Sequence, residues 1–409
     1  MKFYTGPEDL KDVIERYIVI GNDMAVYYLN NRKVSIPNFT EEQREEIKKI
    51  TLSAGGRAVR SPAFFIPEIL TYRRSYGIIL KGIFNNWRLY KMSIFKLDPA
   101  FKDYIWGGTR LRDEYGKKCD YDKVAESWEL SCHKDGPSVV ADGEYKGLTL
   151  NEYIEKAGKG VLGKNCERFE NFPILIKLID AKDNLSVQVH PDNDYAMRVE
   201  GEYGKTEMWY VVDCDEGATL LYGFKHEITK EEFARRIADN TLLEVTNAVP
   251  VKKGDVFFIK SGTLHAIGKG ILIAEIQQNS NTTYRIYDYG RVGKDGKPRE
   301  LHVNKALDVT KLAPAEQYPE TPVEKKDGYD IKLLSKCEYF TTYRVNVETK
   351  AELDADENSF NSILVLEGEP VISGGETVSA KKGESVFISA GTGKYTVEGK
   401  CTFVLTKID

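Results

Sequence analysis

Two segments of the sequence read almost alike, and this repeat constrains the fold more than any other feature. Residues 251–268, VKKGDVFFIKSGTLHAIG, align with residues 380–397, AKKGESVFISAGTGKYTV, and both follow the pattern K-K-G-[DE]-x-x-F-I-x-x-G-T. In each copy a glycine turn precedes a predicted strand, and a second glycine turn follows it. The repeat predicts two copies of one structural unit. His265 of the first copy aligns with Lys394 of the second, so only the first copy keeps a possible metal ligand.

Short apolar runs separated by Gly, Asp and Asn dominate the chain from about residue 172 onward. Strands are predicted over 174–179, 185–190, 207–213, 218–222, 256–260, 271–277, 341–347, 362–366, 385–389 and 401–406. Two stretches have helical periodicity and good caps, at 148–158 and 229–240. Many short strands with turns between them are typical of a β-sandwich or barrel. We therefore expect a mainly β fold with small helical inserts.

The charge balance changes near residue 91. Residues 1–91 carry 15 Lys and Arg against 10 Asp and Glu, whereas the remainder carries 43 against 53. Two helices are predicted in the first segment, in PEDLKDVIERYI and TEEQREEIKKI. Its basic tail with interleaved aromatics is compatible with a nucleic-acid contact, but an accessory extension is the favoured interpretation. We expect an N-terminal extension of unknown role at 1–91 and a functional part that begins at Met92.

The composition argues against several classes of protein. A hydrophobic content of 41% with 30% charged residues is typical of soluble globular proteins. The longest apolar runs, such as FFIPEIL, are too short to span a bilayer, and the N-terminus has no signal-peptide stretch. Six cysteines without a C-x-x-C pair favour reduced thiols in a cytoplasmic protein. The net charge of −5 gives no case for a nucleic-acid or membrane partner.

One predicted strand presents three hydrogen-bonding side chains on a single face. In LSVQVHPDND, residues 185–194, apolar residues alternate with Ser186, Gln188 and His190. Period-two alternation places the two sets on opposite faces of a sheet. Gln188 and His190 are therefore expected to reach one point above the sheet.

The segment GKTEMWYVV places Lys205, Glu207 and Trp209 on one face by the same rule, and His265 follows a tight glycine turn at a strand end. Imidazole nitrogens, a carboxylate and an amide oxygen suit a borderline divalent ion such as zinc. Taken singly, each residue has an ordinary explanation, because a lone strand histidine or glutamate usually forms part of a polar surface. Their convergence favours a metal site.

The segment GDVFFIKSGTLH resembles the second sequence motif of the cupin superfamily, with Lys260 and Lys269 at its proline and asparagine positions. The first cupin motif is absent in its usual form, and SVQVHPD and GKTEMWYVV stand in its place. With KDYIWGG, AESWELS, GTLHAIG and EIQQNSNTTYRIYD, these segments resemble the short bacterial form of type I mannose-6-phosphate isomerase. The resemblance runs from about Met92 to the C-terminus and does not cover 1–91.

This resemblance implies a cupin jelly-roll fold with two units. The implied organisation is a metal-binding catalytic domain at 92–325, with a helical insert around 148–170, and a C-terminal cupin-like domain without metal ligands at 326–409. The implied partner is a phosphosugar, and no oligomeric state follows from the sequence.

The resemblance also implies one zinc ion per chain, held by His190, Glu207, His265 and Gln188. Gln188 is the weakest member of this set, because an amide is a poor ligand. Its alternative role is to orient His190 or to bind substrate.

The implied reaction interconverts mannose 6-phosphate and fructose 6-phosphate through a cis-enediol. The developing oxyanion requires positive charge placed beforehand. Arg285, in TTYRIYD, matches the active-site arginine of the family, and the alternative is an ion pair with Asp288 on the sheet. Lys205 is the second residue predicted to be catalytic. The sequence does not identify the general base.

Three further residues are predicted to bind substrate: Ser186, Lys177 and Glu275. Lys177 interrupts an apolar strand, and lysine is rarely buried without a partner such as a phosphate dianion. A desolvated Lys177 or Lys205 is alternatively a candidate base. Ser186 is a possible donor to phosphate, and Glu275 resembles a pocket residue of the family, with a structural role as the alternative.

The three other histidines are interpreted as surface or packing residues, and three tryptophans are interpreted as core residues, with the wall of a sugar pocket as the alternative. They are His133, His226, His302, Trp106, Trp128 and Trp209.

Two other functions remain open on the sequence. Two histidines with one carboxylate also describe non-haem iron oxygenases, although neighbouring lysines and an arginine favour a phosphosugar. A non-catalytic, sugar-sensing cupin with 1–91 as its output module is the second alternative.

Overall fold

The computed structural model describes residues 18–20, 25–29 and 32–36, and then 93–293 and 296–409. The chain divides into two compact units, Met1–Leu89 and Tyr90–Asp409. In the first unit, strands β1 (Ile18–Ile20), β2 (Ala25–Leu29) and β3 (Arg32–Ile36) form an antiparallel sheet in that order. Of the helix predicted in PEDLKDVIERYI, only the last residue, Ile18, is among the described residues, and Ile18 begins strand β1. The helix predicted in TEEQREEIKKI lies outside the described residues.

The second unit is mainly β. Its strands are β4 Ile94–Asp98, β5 Ala100–Lys102, β6 Glu126–Leu130, β7 Val139–Val140, β8 Ile174–Ala181, β9 Val187–Val189, β10 Glu207–Cys214, β11 Thr219–Phe224, β12 Thr246–Pro250, β13 Val256–Ile259, β14 His265–Ala266, β15 Ile271–Gln278, β16 Tyr284–Tyr287, β17 Val323–Lys325, β18 Tyr329–Lys336, β19 Thr341–Val347, β20 Lys350–Ala355, β21 Asn361–Gly368, β22 Val371–Ser373, β23 Thr377–Ser379, β24 Ser385–Ile388, β25 Gly393–Glu398 and β26 Cys401–Lys407. Each of the ten predicted strands is present within a few residues of its predicted ends.

Helices connect and cover these strands. They are α1 Arg110–Asp113, α2 Leu150–Ala157, α3 Asn193–Val199, α4 Lys230–Ala238, α5 Leu242–Val245 and α6 Val303–Val309, with short 3₁₀ turns at Lys159–Leu162 and Lys164–Cys166. The two predicted helices correspond to α2 and α4. Thr149 caps α2 through a complete capping box with Glu152, and the Thr229 side chain caps α4. Across the described residues no helix is long and apolar enough to cross a membrane.

The strands of the second unit form four sheets. The six-stranded sheet has the order β13-β10-β15-β8-β6-β5, and the five-stranded sheet has the order β12-β11-β14-β9-β16. These two sheets make the first barrel. The eight-stranded sheet has the order β17-β18-β19-β26-β21-β24-β4-β7, and the four-stranded sheet has the order β20-β25-β22-β23. These two make the second barrel, and together they confirm the cupin-type fold with two units.

Alternation along single strands explains how the layers pack. On β10, Trp209 and Val211 face the interior of the first barrel, whereas Met208, Tyr210 and Val212 face the eight-stranded sheet. β10 is therefore buried on both faces. The five-stranded sheet turns its outer face, with Val187 and Val189, toward α4 to α6. The interior of the second barrel holds a separate apolar core that includes Val345 and Phe403.

The repeat seen in the sequence corresponds to equivalent strands of the two barrels. Its two copies form β13 and β24, each bracketed by glycines with positive φ, at 92° and 85° in the first and at 87° and 79° in the second. Ile259 on β13 pairs with Glu207, and the aligned Ile388 on β24 pairs with Asn361. Asn361 of the second barrel is therefore the structural counterpart of Glu207.

The alignment of His265 with Lys394 does not extend to the direction of the side chains. β25 begins at Gly393, and Tyr395 and Val397 face the core, so Lys394 lies on the exposed face. The buried Tyr395 takes the inward position instead, and its hydroxyl accepts a hydrogen bond from the Asn361 amide at 3.0 Å. A tyrosine and an amide thus fill the place that His265 and Glu207 occupy in the first barrel.

Hydrogen bonding crosses the domain boundary that the sequence suggests at residue 325. β4 pairs with β24 of the repeat, from Ile94 opposite Ile388 to Leu97 opposite Ser385, and β17 pairs with β18. The first strand after Met92 therefore completes the sheet of the C-terminal barrel. The division into domains at 92–325 and 326–409 stays a prediction.

Candidate metal centre and active site

Neighbouring strands of the five-stranded sheet bring three predicted site residues into one row. Gln188 on β9 lies directly opposite His265 on β14 and, on its other side, opposite Arg285 on β16. Residues directly opposite each other in a ladder present their side chains on the same face. His190 follows two residues after Gln188 and is buried, with 1% of its surface exposed. Ser186, two residues before Gln188, is also buried.

The six-stranded sheet supplies the opposite wall of the site. Glu207 begins β10, Trp209 lies two residues further on the same face, and Trp209 pairs with Glu275 on β15. Glu275 in turn pairs with Lys177 on β8, which pairs with Trp128 on β6. Period-two alternation along apolar strands therefore places a row of charged and aromatic groups in the barrel interior.

Hydrogen bonds to the backbone fix both imidazoles. The Nδ1 atom of His190 lies 2.9 Å from the Thr282 carbonyl, and Nδ1 of His265 lies 2.9 Å from the Thr263 carbonyl. A carbonyl can only accept, so each Nδ1 carries the proton and each Nε2 presents a lone pair. Burial lowers the pKa of His265 to about 4, and burial followed by Lys205 holds the pKa of His190 well below its usual value. Both rings are therefore neutral near pH 7.

Both lone pairs converge on Glu207. Nε2 of His265 lies 3.4 Å from one Glu207 oxygen, and Nε2 of His190 lies 3.7 Å from the other. Ligand atoms of the three residues all lie within 4.8 Å of one another, and the three side chains are buried. Burial and the nearby Glu275 raise the pKa of the Glu207 carboxyl. Neutral imidazoles fixed by carbonyls around a carboxylate are the arrangement of a metal site.

Orphaned polar atoms support this interpretation. Both carboxylate oxygens of Glu207 and Nε2 of His265 are buried without a hydrogen-bond partner among the described residues. The ion pair from the Lys205 ammonium, 3.0 Å from one Glu207 oxygen, is the exception. Buried polar atoms are nearly always satisfied in folded proteins, so these atoms need a further partner. A divalent cation fits the donor set, and Gln188 adds an amide on the same face of the sheet.

Lys205 lies beside the metal-ligand candidates. Its backbone N–H donates to the Pro191 carbonyl, and its Nζ lies 3.2 Å from Nε2 of His190. The same ammonium lies 3.9 Å from Glu275. This position puts the Lys205 ammonium at the edge of the cluster of metal-ligand candidates.

Lys177 already has two carboxylate partners. Its Nζ lies 3.2 Å from Glu275 and 3.6 Å from Glu126, and only 3% of the residue is exposed. Although burial opposes its charge, Glu126 and Glu275 raise the pKa of Lys177 above its usual value. The residue therefore stays protonated, which disfavours the alternative in which Lys177 serves as the base. Its part in substrate binding stays a prediction.

Trp128 and Trp209 are fully buried, as expected of core residues, and each also contacts a charged group of the candidate site. Trp209 donates to Glu275 at 3.0 Å, and Trp128 donates to Glu126 at 2.7 Å. Lys177 lies over the Trp128 ring at 5.1 Å. Although burial opposes its ionisation, Lys205 and Lys177 lower the pKa of Glu275 below its usual value. Alternation in ESWEL puts Glu126 and Trp128 on one face. This pattern is the sequence signal that could have identified Glu126 as a neighbour of the site.

Arg285 is held by the segment that follows its strand. Its Nη1 donates to the Glu300 carbonyl at 2.9 Å, and its backbone N–H donates to Nδ1 of His302 at 3.2 Å. His302, which the sequence analysis interpreted as a surface or packing residue, thus contacts a predicted catalytic residue. Nε of Arg285 is buried without a hydrogen-bond partner within the described part of the chain.

The alternative ion pair between Arg285 and Asp288 does not form. Asp288 instead accepts hydrogen bonds from Arg291 and Arg299. Burial, and then the charge of Arg299, lower the pKa of Arg285 from its usual value, but a guanidinium remains charged at any physiological pH. Arg285 therefore has a backbone acceptor at Glu300 and an unsatisfied Nε, and it lies opposite Gln188 in the sheet.

Two parts of the chain match domains of one protein family. Residues 94–217 match the family described as phosphomannose isomerase type I, catalytic domain. Residues 330–408 match the family described as mannose-6-phosphate isomerase, cupin domain.

Similar proteins are found across nearly their whole length. A putative mannose-6-phosphate isomerase of Bacillus subtilis is 40% identical over 314 residues, which cover 76% of this chain and 98% of that protein. The chain belongs to the type I phosphomannose isomerase family. A mannose-6-phosphate isomerase of Streptococcus mutans is also 40% identical, over 69% of this chain and 88% of its own. The family predicted from the sequence motifs is thereby confirmed.

Solved structures of the type I phosphomannose isomerase family agree with the fold. The crystal structure of mannose 6-phosphate isomerase from Bacillus subtilis has a TM-score of 0.73 and 38% identity, and covers 77% of this chain and 99% of that one. A mutant phosphomannose isomerase from Salmonella typhimurium, at 18% identity and a TM-score of 0.63 over 78% of this chain and 100% of its own, shows the shared fold alone.

Proposed function

We propose that this chain is a zinc-dependent isomerase that interconverts mannose 6-phosphate and fructose 6-phosphate through a cis-enediol. One observation carries the proposal: two neutral imidazoles present their Nε2 lone pairs to a buried, unsatisfied Glu207 inside a barrel that also holds Lys205 and Arg285. Family membership, with mannose-6-phosphate isomerases 40% identical to this chain, supports the substrate.

The residues His190, Glu207 and His265 would hold the metal ion, with Gln188 as the proposed fourth ligand. A zinc ion held there would supply Lewis acidity toward oxygens of the open-chain sugar. A zinc site with nitrogen and oxygen ligands commonly leaves a position open for water or substrate. One ion per chain is proposed, because the second barrel has Asn361 and Tyr395 at the equivalent places.

The isomerisation moves two hydrogens and leaves the overall composition of the sugar unchanged, because one passes from C2 to C1 and the other from O2 to O1. A base removes the C2 proton of mannose 6-phosphate while a proton donor protonates O1, and the enediol forms. The base then returns its proton to C1 while O2 gives its proton back to the group that protonated O1, and the C2 ketone forms. Arg285 and Lys205, with charges already in place before reaction, stabilise the oxyanion of each step. We assign no residue as the base.

Substrate binding is proposed to use the polar interior of the first barrel. Ser186 and Glu275 remain candidates for sugar or phosphate contacts, and Lys177 acts mainly through Glu275 because both are buried together. Burial of the charged row excludes water from the enediol, which would otherwise exchange its proton with solvent.

The deciding experiment measures turnover of mannose 6-phosphate to fructose 6-phosphate with three preparations: protein as purified, protein stripped with a chelator, and stripped protein returned to zinc. We expect activity to disappear on stripping and to return with about one zinc per chain. Oxygen uptake is followed in parallel. Absence of turnover in zinc-loaded protein would overturn the proposal in favour of a sensor, and oxygen consumption by the protein as purified would overturn it in favour of an oxygenase.

A further inference from the structure

Glu202, in the loop between α3 and β10, lies at the centre of a polar cluster outside the metal-ligand candidates. Its Oε2 accepts from the Asn281 backbone N–H at 3.5 Å and from the Thr282 hydroxyl at 3.4 Å. Its Oε1 lies 2.9 Å from the ammonium of the exposed Lys134. Burial opposes ionisation, yet Lys134 and then His133 lower the pKa of Glu202, so the carboxylate is charged near neutral pH.

His133 lies on the remaining side of Glu202. The Asp135 backbone N–H donates to Nδ1 of His133 at 3.1 Å. Burial lowers the pKa of His133, so the ring is neutral and its remaining proton must be on Nε2. That Nε2 lies 3.6 Å from Oε2 of Glu202, the oxygen that faces Asn281 and Thr282. A second link ties the same segment down, because the Asn281 amide donates to Asp135 at 2.9 Å.

The segment held in this way carries the carbonyl that orients His190. Thr282 contributes its hydroxyl to Glu202 and its carbonyl to Nδ1 of His190, 2.9 Å away. The carboxylate of Glu202 therefore fixes the acceptor that sets the tautomer and direction of His190. Partners of this kind, one bond removed from a metal ligand, typically change metal affinity by ten- to a hundredfold when they are removed.

We propose that Glu202 is a positioning residue for the metal centre, acting through Thr282 on His190. The inference rests on the proposed function, because it assumes that His190 ligates the ion. It goes beyond the proposed ligands, because it assigns the loops at 133–135 and 200–202 to the metal centre. None of the side chains of these loops reaches the three metal-ligand candidates.

The test compares zinc dissociation constants, measured by competition with a chromogenic chelator, for the full chain and for Glu202→Gln. Glutamine keeps the size of the side chain but removes its charge and replaces one acceptor by a donor. We expect zinc to bind about ten- to a hundredfold more weakly. Glu216→Gln removes a charge from an exposed acid and should leave the constant unchanged. Thr282→Val keeps the carbonyl but loses the hydroxyl. Its zinc dissociation constant should lie between those of Glu202→Gln and Glu216→Gln.

A second readout separates positioning from general destabilisation. The visible spectrum of the cobalt-substituted protein reports ligand geometry, and we expect it to change in Glu202→Gln while the melting temperature of the metal-free form changes little. Equal zinc affinity and an unchanged cobalt spectrum in Glu202→Gln would overturn the inference. Failure of the unsubstituted chain to bind zinc at all would instead overturn the proposed function.

Discussion

At the scale of single residues, the structure separates groups that the sequence treats alike. Lys177 and Lys205 both interrupt apolar segments, and both ammonium groups lie near Glu275. The second carboxylate differs, because it is Glu126 for Lys177 and the metal-ligand candidate Glu207 for Lys205. Arg285, expected as either a catalytic group or a partner of Asp288, has its own backbone acceptor at Glu300. Of the two lysines, Lys205 is therefore the one tied to the proposed metal ligands.

The first prediction concerns His265. His265→Ala should lose bound zinc and nearly all turnover, because one of three buried residues proposed as ligands is removed. The fold should survive, since the second barrel is built without a histidine at this place. Zinc content by atomic absorption, turnover and far-ultraviolet circular dichroism check this. Full zinc occupancy together with full activity would remove His265 from the ligand set.

Arg285 carries the second prediction. If its guanidinium stabilises the enediolate, Arg285→Ala should lower kcat about a hundredfold or more, with a much smaller change in KM. Arg285→Lys should rescue the rate only in part, because lysine restores the charge but not the planar fork. Turnover, KM and melting temperature are measured for both variants. A near-normal kcat in zinc-loaded Arg285→Ala contradicts the assigned role.

At the scale of elements, the two barrels are joined by groups that the sequence repeat does not reveal. Lys117, after α1, is 6% exposed and lies 2.7 Å from Glu129 on β6. Its ammonium also donates to the carbonyl of Gly383, at the turn that opens β24. Ser127 donates to the same carboxylate at 2.6 Å. A buried ion pair thus ties the six-stranded sheet to the second barrel.

This pair gives the third prediction. Lys117→Met should lower the free energy of unfolding by about 3–5 kcal/mol, because Glu129 is left buried without its cation. Burial already raises the pKa of the Glu129 carboxyl. Once the lysine is gone, an uncharged side chain at position 129 should therefore cost less free energy than the carboxylate. Adding Glu129→Gln to Lys117→Met should recover much of the loss. Urea unfolding of the single and double variants checks this, and equal stability of the two would contradict it.

The fourth prediction distinguishes the extension from β4. A chain that begins at Met92 should keep its turnover within tenfold, because the site residues all follow that point. A chain that begins at Ala100 lacks β4, including the buried Phe95 and Leu97, and should not fold cooperatively. Phe95→Ala in the full chain, expected to cost about 3–5 kcal/mol, is the milder control. A tenfold loss of turnover in the first chain would show that residues 1–91 complete the site.

Strand periodicity explains what could be predicted at this scale. Alternation in LSVQVHPDND and GKTEMWYVV assigned His190 and Glu207 to interior faces, and the glycine turn placed His265 at a strand end. Alternation predicts which face of a strand a side chain lies on, but not which strand pairs with it. The carboxylates around Lys177 and the pairing of β4 with β24 could therefore not be predicted from the sequence. The same limit explains why the sequence alignment of Lys394 with His265 did not predict that Lys394 is exposed. The start of β25 at Gly393 places Tyr395 on the inward face instead.

At the scale of the whole molecule, all six cysteines are free thiols, so no disulfide crosslinks the described barrels. Their stability rests on layered apolar cores and on buried polar groups that must keep their protonation states. Three buried histidines, His133, His190 and His265, all have lowered pKa values, because burial disfavours the charged ring.

The fifth prediction is an acid limb in the stability of the metal-free protein. Below pH 6.5 the unfolded chain takes up protons that these buried rings exclude, so the free energy of unfolding falls as pH drops toward 4. His265 alone contributes ~3 kcal/mol over this range. Chemical unfolding of metal-free protein between pH 4 and 8 measures it. A flat profile, or no flattening in His265→Gln, would contradict it.

The pairing of β4 with β24 also sets the order in which a nascent chain can finish folding. Ser93 and Ser389, which exchange hydrogen bonds beside this pair, are 296 residues apart in sequence. At roughly 5–20 residues per second, a ribosome needs about 15–60 s to deliver the second after the first. Throughout that interval β4 can pair only with the two-residue strand β7, so its other edge, beside Phe95, has no partner strand. An unpaired apolar edge is a template for association with other chains. The exposed edge of β4 is therefore the place where association with other chains is expected to compete with folding until β24 has been made.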